Sequence, residues 1–243
     1  MYPFAHETGR RPESGNDRRG SPGAASNLRR FPEWLRRLPD VLYPPVCVAC
    51  GGLVEDSGLR HVCALCEARI EFQPFPLERE AVTAVRLRGP ARALVHALKY
   101  RSARYVLGDL KRVMARAPWL ADHVRGAVLV PVPLHPRRER ERGFNQSLLL
   151  VQGLAAAAGG GTRVAPLLRR VVDTPPQAGL DAAERRANLK NAFALAPGAA
   201  LNPRLRHIIV DDVLTTGTTL QACAAALRPA GCLNLDAAAF AHG

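Results

Sequence analysis

The stretch HIIVDDVLTTGTTLQACAAAL, His207 to Leu227, limits the fold more than any other part of this chain. An apolar run ends in two adjacent acids, a threonine- and glycine-rich turn follows, and an alanine-rich helix comes directly after. Strand, turn and helix in that order are the repeating unit of an α/β sheet. The expected strand is made by Leu205, Ile208, Ile209 and Val210, with Asp211 and Asp212 at its lip. In open α/β sheets ligands bind beyond the carboxyl ends of the strands, which is where this turn falls. A helix N-terminus behind a small-residue loop offers unpaired N–H groups and the positive end of its dipole, a cradle for phosphate. Carboxylates beside such a cradle would repel a phosphate unless they faced another part of the ligand, such as sugar hydroxyls or a bridging Mg²⁺. The parts therefore describe a sugar phosphate, with Thr215, Thr216, Gly217, Thr218 and Thr219 around the phosphate and Asp211 with Asp212 against the ribose. The structural alternative is an ordinary strand-to-helix connection with Asp212 as a helix cap. A Walker P-loop is excluded, because no Gly-Lys-Ser/Thr follows, and a dinucleotide fingerprint is missing too.

From Ala81 onward, short apolar runs alternate with longer helical stretches. AVTAVRL reads as a strand, PARALVHALKY and YVLGDLKRVMARA as helices, and GAVLVPVPL as a buried strand ending in prolines. A helix from about Phe144 to Ala158, a glycine-rich break, TRVAPLLRRV and a polar segment through DAAERRANLKNAF precede the strand at His207. CLNLDAAAFA closes the chain as a last strand. The fold class expected is α/β, a doubly wound, mostly parallel sheet over residues 77–243.

Four of six cysteines form CVACGGLVEDSGLRHVCALC, with Cys47 and Cys50 in one Cys-x-x-Cys pair and Cys63 and Cys66 in another. Two such knuckles suit one tetrahedral Zn²⁺, because two intervening residues let a tight turn aim both sulfurs at a single ion. Gly51 and Gly52 follow the first knuckle, where positive φ is expected. Disulfides and a redox dithiol are the competing readings; a chain without an export signal disfavours the first, and a redox motif would stand once beside a βαβ unit. With four protein ligands such an ion is structural, a staple for a small module over residues 40–76. His61 is a further ligand candidate or a solvated loop histidine. Cys223 and Cys232 stand apart and read as buried small hydrophobes.

Lys+Arg outnumber Asp+Glu by 34 to 21, which makes phosphate-bearing partners plausible but says nothing of fold. Residues 1–39 begin with a Gly-, Pro-, Ser- and Arg-rich stretch without apolar periodicity and are expected to form a disordered basic tail. No apolar stretch follows the early positive charges as in a signal peptide, and no run reaches a membrane span, so a cytoplasmic location is expected.

The DDVLTTGTT segment resembles the phosphoribosyl pyrophosphate (PRPP) signature of type I phosphoribosyltransferases. Together with VPVPLHPRRERERGFNQSLLL, TPPQAGLDAAERRANLKNAF and the four-cysteine knuckle, the chain from Tyr43 onward resembles the ComF family of phosphoribosyltransferase-like proteins, associated with natural competence and DNA uptake. The resemblance implies that Asp211 and Asp212 hold the ribose hydroxyls and that Thr215 to Thr219 wrap the 5′-phosphate. Pro131, Val132, Pro133, Leu134 and His135 would form the pyrophosphate loop. The charged run with Arg137, Arg138, Arg140 and Arg142 would close over the leaving group, with Arg138 and Arg142 catalytic beside the two acids. Lys99 is either a phosphate ligand or the exposed end of an amphipathic helix. Arg185 and Asn188 match family positions as scaffold or partner contacts. The chain departs from the family pattern at Val172, where members often carry arginine, and at Ser102, where they often carry glycine. Implied ligands are PRPP with Mg²⁺ and a structural Zn²⁺, and implied partners are single-stranded DNA and the DNA-uptake machinery. Three functions follow: a PRPP-binding competence protein, a phosphoribosyltransferase of nucleotide salvage, and a zinc-ribbon module gripping single-stranded DNA. Aromatic residues make up only 5% of the chain, which leaves few rings for base stacking.

Overall fold

The computed structural model describes residues 44–74, 81–100, 103–173, 189 and 191–243. The basic tail, TPPQ, Ser102, Arg185 and Asn188 lie outside the described residues. Five strands, β1 (Val82–Arg86), β2 (Val128–Pro131), β3 (Arg163–Val164), β6 (His207–Leu214) and β7 (Leu235–His242), form a parallel sheet in the order β1-β7-β6-β2-β3. A separate antiparallel pair joins β4 (Leu168–Arg170) to β5 (Phe193–Leu195). The α/β fold with a parallel sheet agrees with the periodicity of the sequence, because strands flanked by helices must cover both faces of the sheet.

Side chains alternate across β6, and each face meets its own core. Ile208 and Val210 pack with Leu129, Phe240 and the apolar sides of α2 (Gly89–Tyr100), α3 (Leu107–Ala115), α4 (Pro118–Val124) and α6 (Gln146–Ala158). Ile209 and Val130 face the other way, onto α7 (Thr218–Leu227), Leu168 and Phe193. Cys223 and Cys232 lie in this second core, as buried small hydrophobes should. The short helix α4 carries no long apolar repeat; Pro118 starts it where a missing N–H costs nothing. TRVAPLLRRV divides into β3 and β4, in two different sheets.

One expectation needs correction. Asp211 and Asp212 do not end their strand; β6 continues to Leu214, because β7 supplies partners as far as Leu214↔His242. On the other side, pairing with β2 stops at Pro131↔Val210. The prolines of PVP cannot donate ladder hydrogen bonds, so β2 ends there and leaves the acids flanked on one side only. The helix expected from Phe144 starts at Gln146. Asn145 caps it, its Oδ1 accepting from the Leu148 N–H at 3.3 Å while its Nδ2 donates to the Val132 carbonyl at 3.1 Å. That one side chain ties the start of α6 to the loop after β2.

The four-cysteine segment packs on the same core as the sheet's first face, through Cys47, Leu59, Val62, Cys66 and Ile70. Asp109 of α3, 1% exposed, receives the N–H groups of Arg60 and His61 at 2.8 and 2.7 Å and the ring of His61 at 3.2 Å. Glu67 of α1 (Ala64–Glu67) makes the reciprocal link, accepting from the Gly58 N–H at 2.9 Å and from Arg116 at 2.6 Å. No described helix is long and apolar enough to cross a membrane.

Candidate functional site

A cavity of about 470 Å³ opens at the carboxyl ends of β2 and β6. Its wall includes Asp211 and Asp212 from β6, Thr215 and Thr219 from the turn into α7, Val132, Pro133 and Leu134 from the loop after β2, Arg138 and Arg142 from α5 (Pro136–Arg142), and Lys99 from α2. Of the residues expected at the site, Pro131, His135, Arg137, Arg140, Thr216, Gly217 and Thr218 do not line it. His135 caps α5, accepting from the Arg137 N–H, and Arg137 lies outside against Glu141 and Asp173, at 2.9 and 3.4 Å. Thr216 and Thr218 pair through their hydroxyls at 2.8 Å. Gly217 precedes the first turn of α7 with φ of 70°, a left-handed conformation that a side chain would strain.

Two carboxylates in one cavity cannot both ionise freely. Removal from water, then the charge of Asp212, push the Asp211 carboxyl up to about 7; Lys99, the Asp212 N–H at 2.8 Å and the Ser147 hydroxyl at 3.0 Å oppose the rise. Asp212, 2% exposed, instead meets the Lys99 ammonium at 2.8 Å through Oδ1. Burial works against the Lys99 charge, but Asp212 and Asp211 outweigh it and raise its pKa. Asp212 Oδ2 is buried and has no hydrogen-bond partner among the described residues.

The cavity wall also carries a group of cations. Arg138 and Arg142 lie one helical turn apart, and Arg142 donates to Gln146 of α6. Arg170 of β4, which no motif singled out, joins them: its guanidinium stacks over Phe193 with 5.5 Å to the ring centroid. Burial, then the neighbouring charge of Arg138, lower its pKa, a mark of crowded cations. Strand alternation sends Leu168 into the core and Arg170 to the same side. Val172, one of the two departures from the family pattern, is exposed. Ser147, Gln146, Arg92, Val95, His96 and Tyr100 also line the cavity and were not named from sequence, because they come from helices whose facing is set by packing.

The four thiol sulfurs of Cys47, Cys50, Cys63 and Cys66 lie within 4.8 Å of one another, with Cys50 and Cys63 3.7 Å apart. Tetrahedral zinc with Zn–S of about 2.3 Å needs sulfurs about 3.8 Å apart, so the set is able to hold a metal ion such as zinc. Burial disfavours the Cys47 thiolate, yet the N–H groups of Cys63, Cys50 and Ala49 outweigh it and bring the thiol down to about 7. Burial and the three neighbouring sulfurs raise Cys66 to about 12. Of the two glycines after the first knuckle, Gly51 has positive φ, 78°. His61 is bonded to Asp109 and is not one of the clustered ligands.

No family model matches the chain. It is 35% identical over 200 residues to DNA utilization protein YhgH of Salmonella typhimurium, covering 77% of this chain and 86% of that protein. The Escherichia coli (strain K12) protein of the same name is 34% identical over 201 residues, with the same coverage. Competence protein F of Haemophilus influenzae is 36% identical over 152 residues, 58% of this chain; the match spans 63% of that protein's length. The chain belongs to the ComF family. In this ComF-family protein the four-cysteine cluster and the acid-lined cavity share one fold, and their relatives' names attach to competence and to DNA utilization.

Proposed function

We propose that this ComF-family protein binds PRPP, with Mg²⁺, in the cavity at the ends of β2 and β6 and acts in the uptake or use of DNA. The observation that carries the ligand is the mixed charge of the cavity wall, where two acids and a helix-starting threonine turn share the space with Arg138, Arg142 and Arg170. Such a layout suits a ligand with a diol in the middle and phosphate at both ends. Asp211 and Asp212 accept from the ribose hydroxyls, the turn at Thr215 and Thr219 receives the 5′-phosphate with the N-terminus of α7, and the arginines take the pyrophosphate. Mg²⁺ prefers oxygen ligands, and the buried, unpartnered Oδ2 of Asp212 fits that preference; when bound, the ion neutralises phosphate charge. The chain's own part is to orient the ribose, exclude water and stabilise negative charge on departing pyrophosphate. The role in DNA uptake or use is supported by the relatives named for competence and DNA utilization.

Calorimetry with PRPP and Mg²⁺ on the wild type and on Asp211→Asn/Asp212→Asn tests the ligand. Saturable binding by the wild type, lost in the variant, is expected; equal heats from both would overturn it. A salvage transferase is the second reading, favoured by the presence of Arg138, Arg142 and Arg170 in the same cavity as the acids. Pyrophosphate release with any purine or pyrimidine base would establish it, and binding without turnover would leave the DNA-linked reading.

A further inference from the structure

The two arginines that α5 sends into the cavity are held in different ways. Arg142 donates to the side-chain oxygen of the buried Gln146, a neutral partner that fixes the guanidinium without cancelling its charge. Arg138 meets a carboxylate. Asp173, which follows β4 and does not itself line the cavity, brings Oδ1 to 3.8 Å from Arg138 Nε. The same side chain reaches Arg137 at 3.4 Å through Oδ2 and His135 Nδ1 at 3.6 Å through Oδ1. One acid thus faces three basic side chains from neighbouring positions. Among the other described ion pairs Asp109 is shared in this way, by His61 and Arg112, and it does not line the cavity or meet an arginine that does.

The helix that carries these cations has little else to fix it. No residue of α5 is buried, and the helix ends at Gly143 in the left-handed conformation, with φ of 79°. Contacts to Asp173 therefore bear on where its first turn stands. They are also loose. A charge-assisted N–H···O bond settles at about 2.7–2.9 Å, and all three contacts to Asp173 are longer. Partly exposed pairs of this kind are weak, so a phosphate group that offers close, paired bonds to a guanidinium outcompetes them.

We propose that Asp173 is a resident counter-anion of the arginine helix: it holds Arg137 and Arg138, and a pyrophosphate group entering the cavity takes its place on Arg138. The exchange rests on the phosphoribosyl reading for the identity of the anion. Its consequence is a lower affinity for pyrophosphate than the arginines alone would give, which favours release of that group over its retention.

Calorimetry with sodium pyrophosphate at fixed ionic strength, on the full chain, tests it with Asp173→Asn, which keeps the shape of a partly exposed side chain and removes its charge. Binding should tighten about threefold to tenfold. Glu139→Gln removes one charge from the same helix, where Glu139 is exposed and meets no cation among the described residues, and should change the affinity less than about twofold. An equal gain in both variants would assign the effect to net charge and overturn the counter-anion. Weaker binding by Asp173→Asn would overturn it by making Asp173 a prop of the binding geometry, and the absence of any gain, or of any binding, would overturn it outright. PRPP with Mg²⁺ is scored separately. PRPP binding without the Asp173-dependent gain would sink the counter-anion alone, and the gain without PRPP binding would sink the phosphoribosyl reading alone.

Discussion

Lys99 on α2 and Asp212 on β6 meet at 2.8 Å, so the cavity holds a cation against one of its two acids. A ligand that brings its own cation must displace Lys99 or share the carboxylate with it. The unpartnered Oδ2 of Asp212 makes sharing feasible.

Lys99→Met should remove the ammonium that meets Asp212 and lessen the positive charge around both acids. Breaking a buried pair costs about 3–5 kcal/mol, and the partial exposure of Lys99 reduces this to about 1–3 kcal/mol. Thermal unfolding should therefore begin several degrees lower, while Mn²⁺ or Mg²⁺ titrated alone should bind more tightly than to the wild type. Unchanged metal affinity would show that Lys99 does not compete for Asp212.

The raised pKa of Asp211 sets a pH dependence. Its carboxyl keeps a proton in the folded state up to about 7, whereas the unfolded carboxyl loses it near the ordinary value of 3.8. The unfolded state therefore binds fewer protons between these values, and stability falls as pH rises through that window. Asp211→Asn should raise the melting temperature at pH 8 by roughly 2–4 °C for each kcal/mol recovered, and change it little at pH 4. PRPP with Mg²⁺ should bind the wild type more tightly as pH rises through about 7, when Asp211 ionises. Calorimetry across pH 5.5 to 8.5 reads the sign directly.

The clustered thiols should retain about one zinc ion per chain after purification, measured by plasma emission. Cys47→Ser should lose it. Cobalt substitution should give the intense visible bands of a tetrahedral thiolate site, absent in that variant.

Asp109 is buried under the loop that leads to Cys63. Asp109→Ala would leave the Arg60 and His61 N–H groups without an acceptor, at about 1–3 kcal/mol for each donor that water does not reach. Hydrogen exchange should accelerate at residues 57–63, and zinc affinity should fall, with the β6–β7 amides still protected. Asp109→Asn keeps an acceptor and should restore most of the protection.

Much of the site was legible because its parts are local. An apolar run, two acids, a TTGTT turn and a helix lie within one stretch, and local order alone puts the acids on a strand shortly before a helix N-terminus. Two Cys-x-x-Cys pairs likewise carry their own geometry. The extension of β6 past the acids was not legible, because strand length depends on the neighbour: β7 offers hydrogen-bond partners where the prolines after β2 do not.

What the sequence determined by itself was the order of strands and helices, the threonine- and glycine-rich turn with its acids, and the four-thiol cluster, since each depends on residues within a turn or two of one another. Tertiary structure decided which cations face those acids. Lys99 reaches Asp212 because the α2 and β6 elements pack into one core, and Arg170 joins Arg138 and Arg142 because β4 places alternate side chains on one side. Such pairings between distant parts of the chain are set by how helices and strands stack, and no local pattern encodes them.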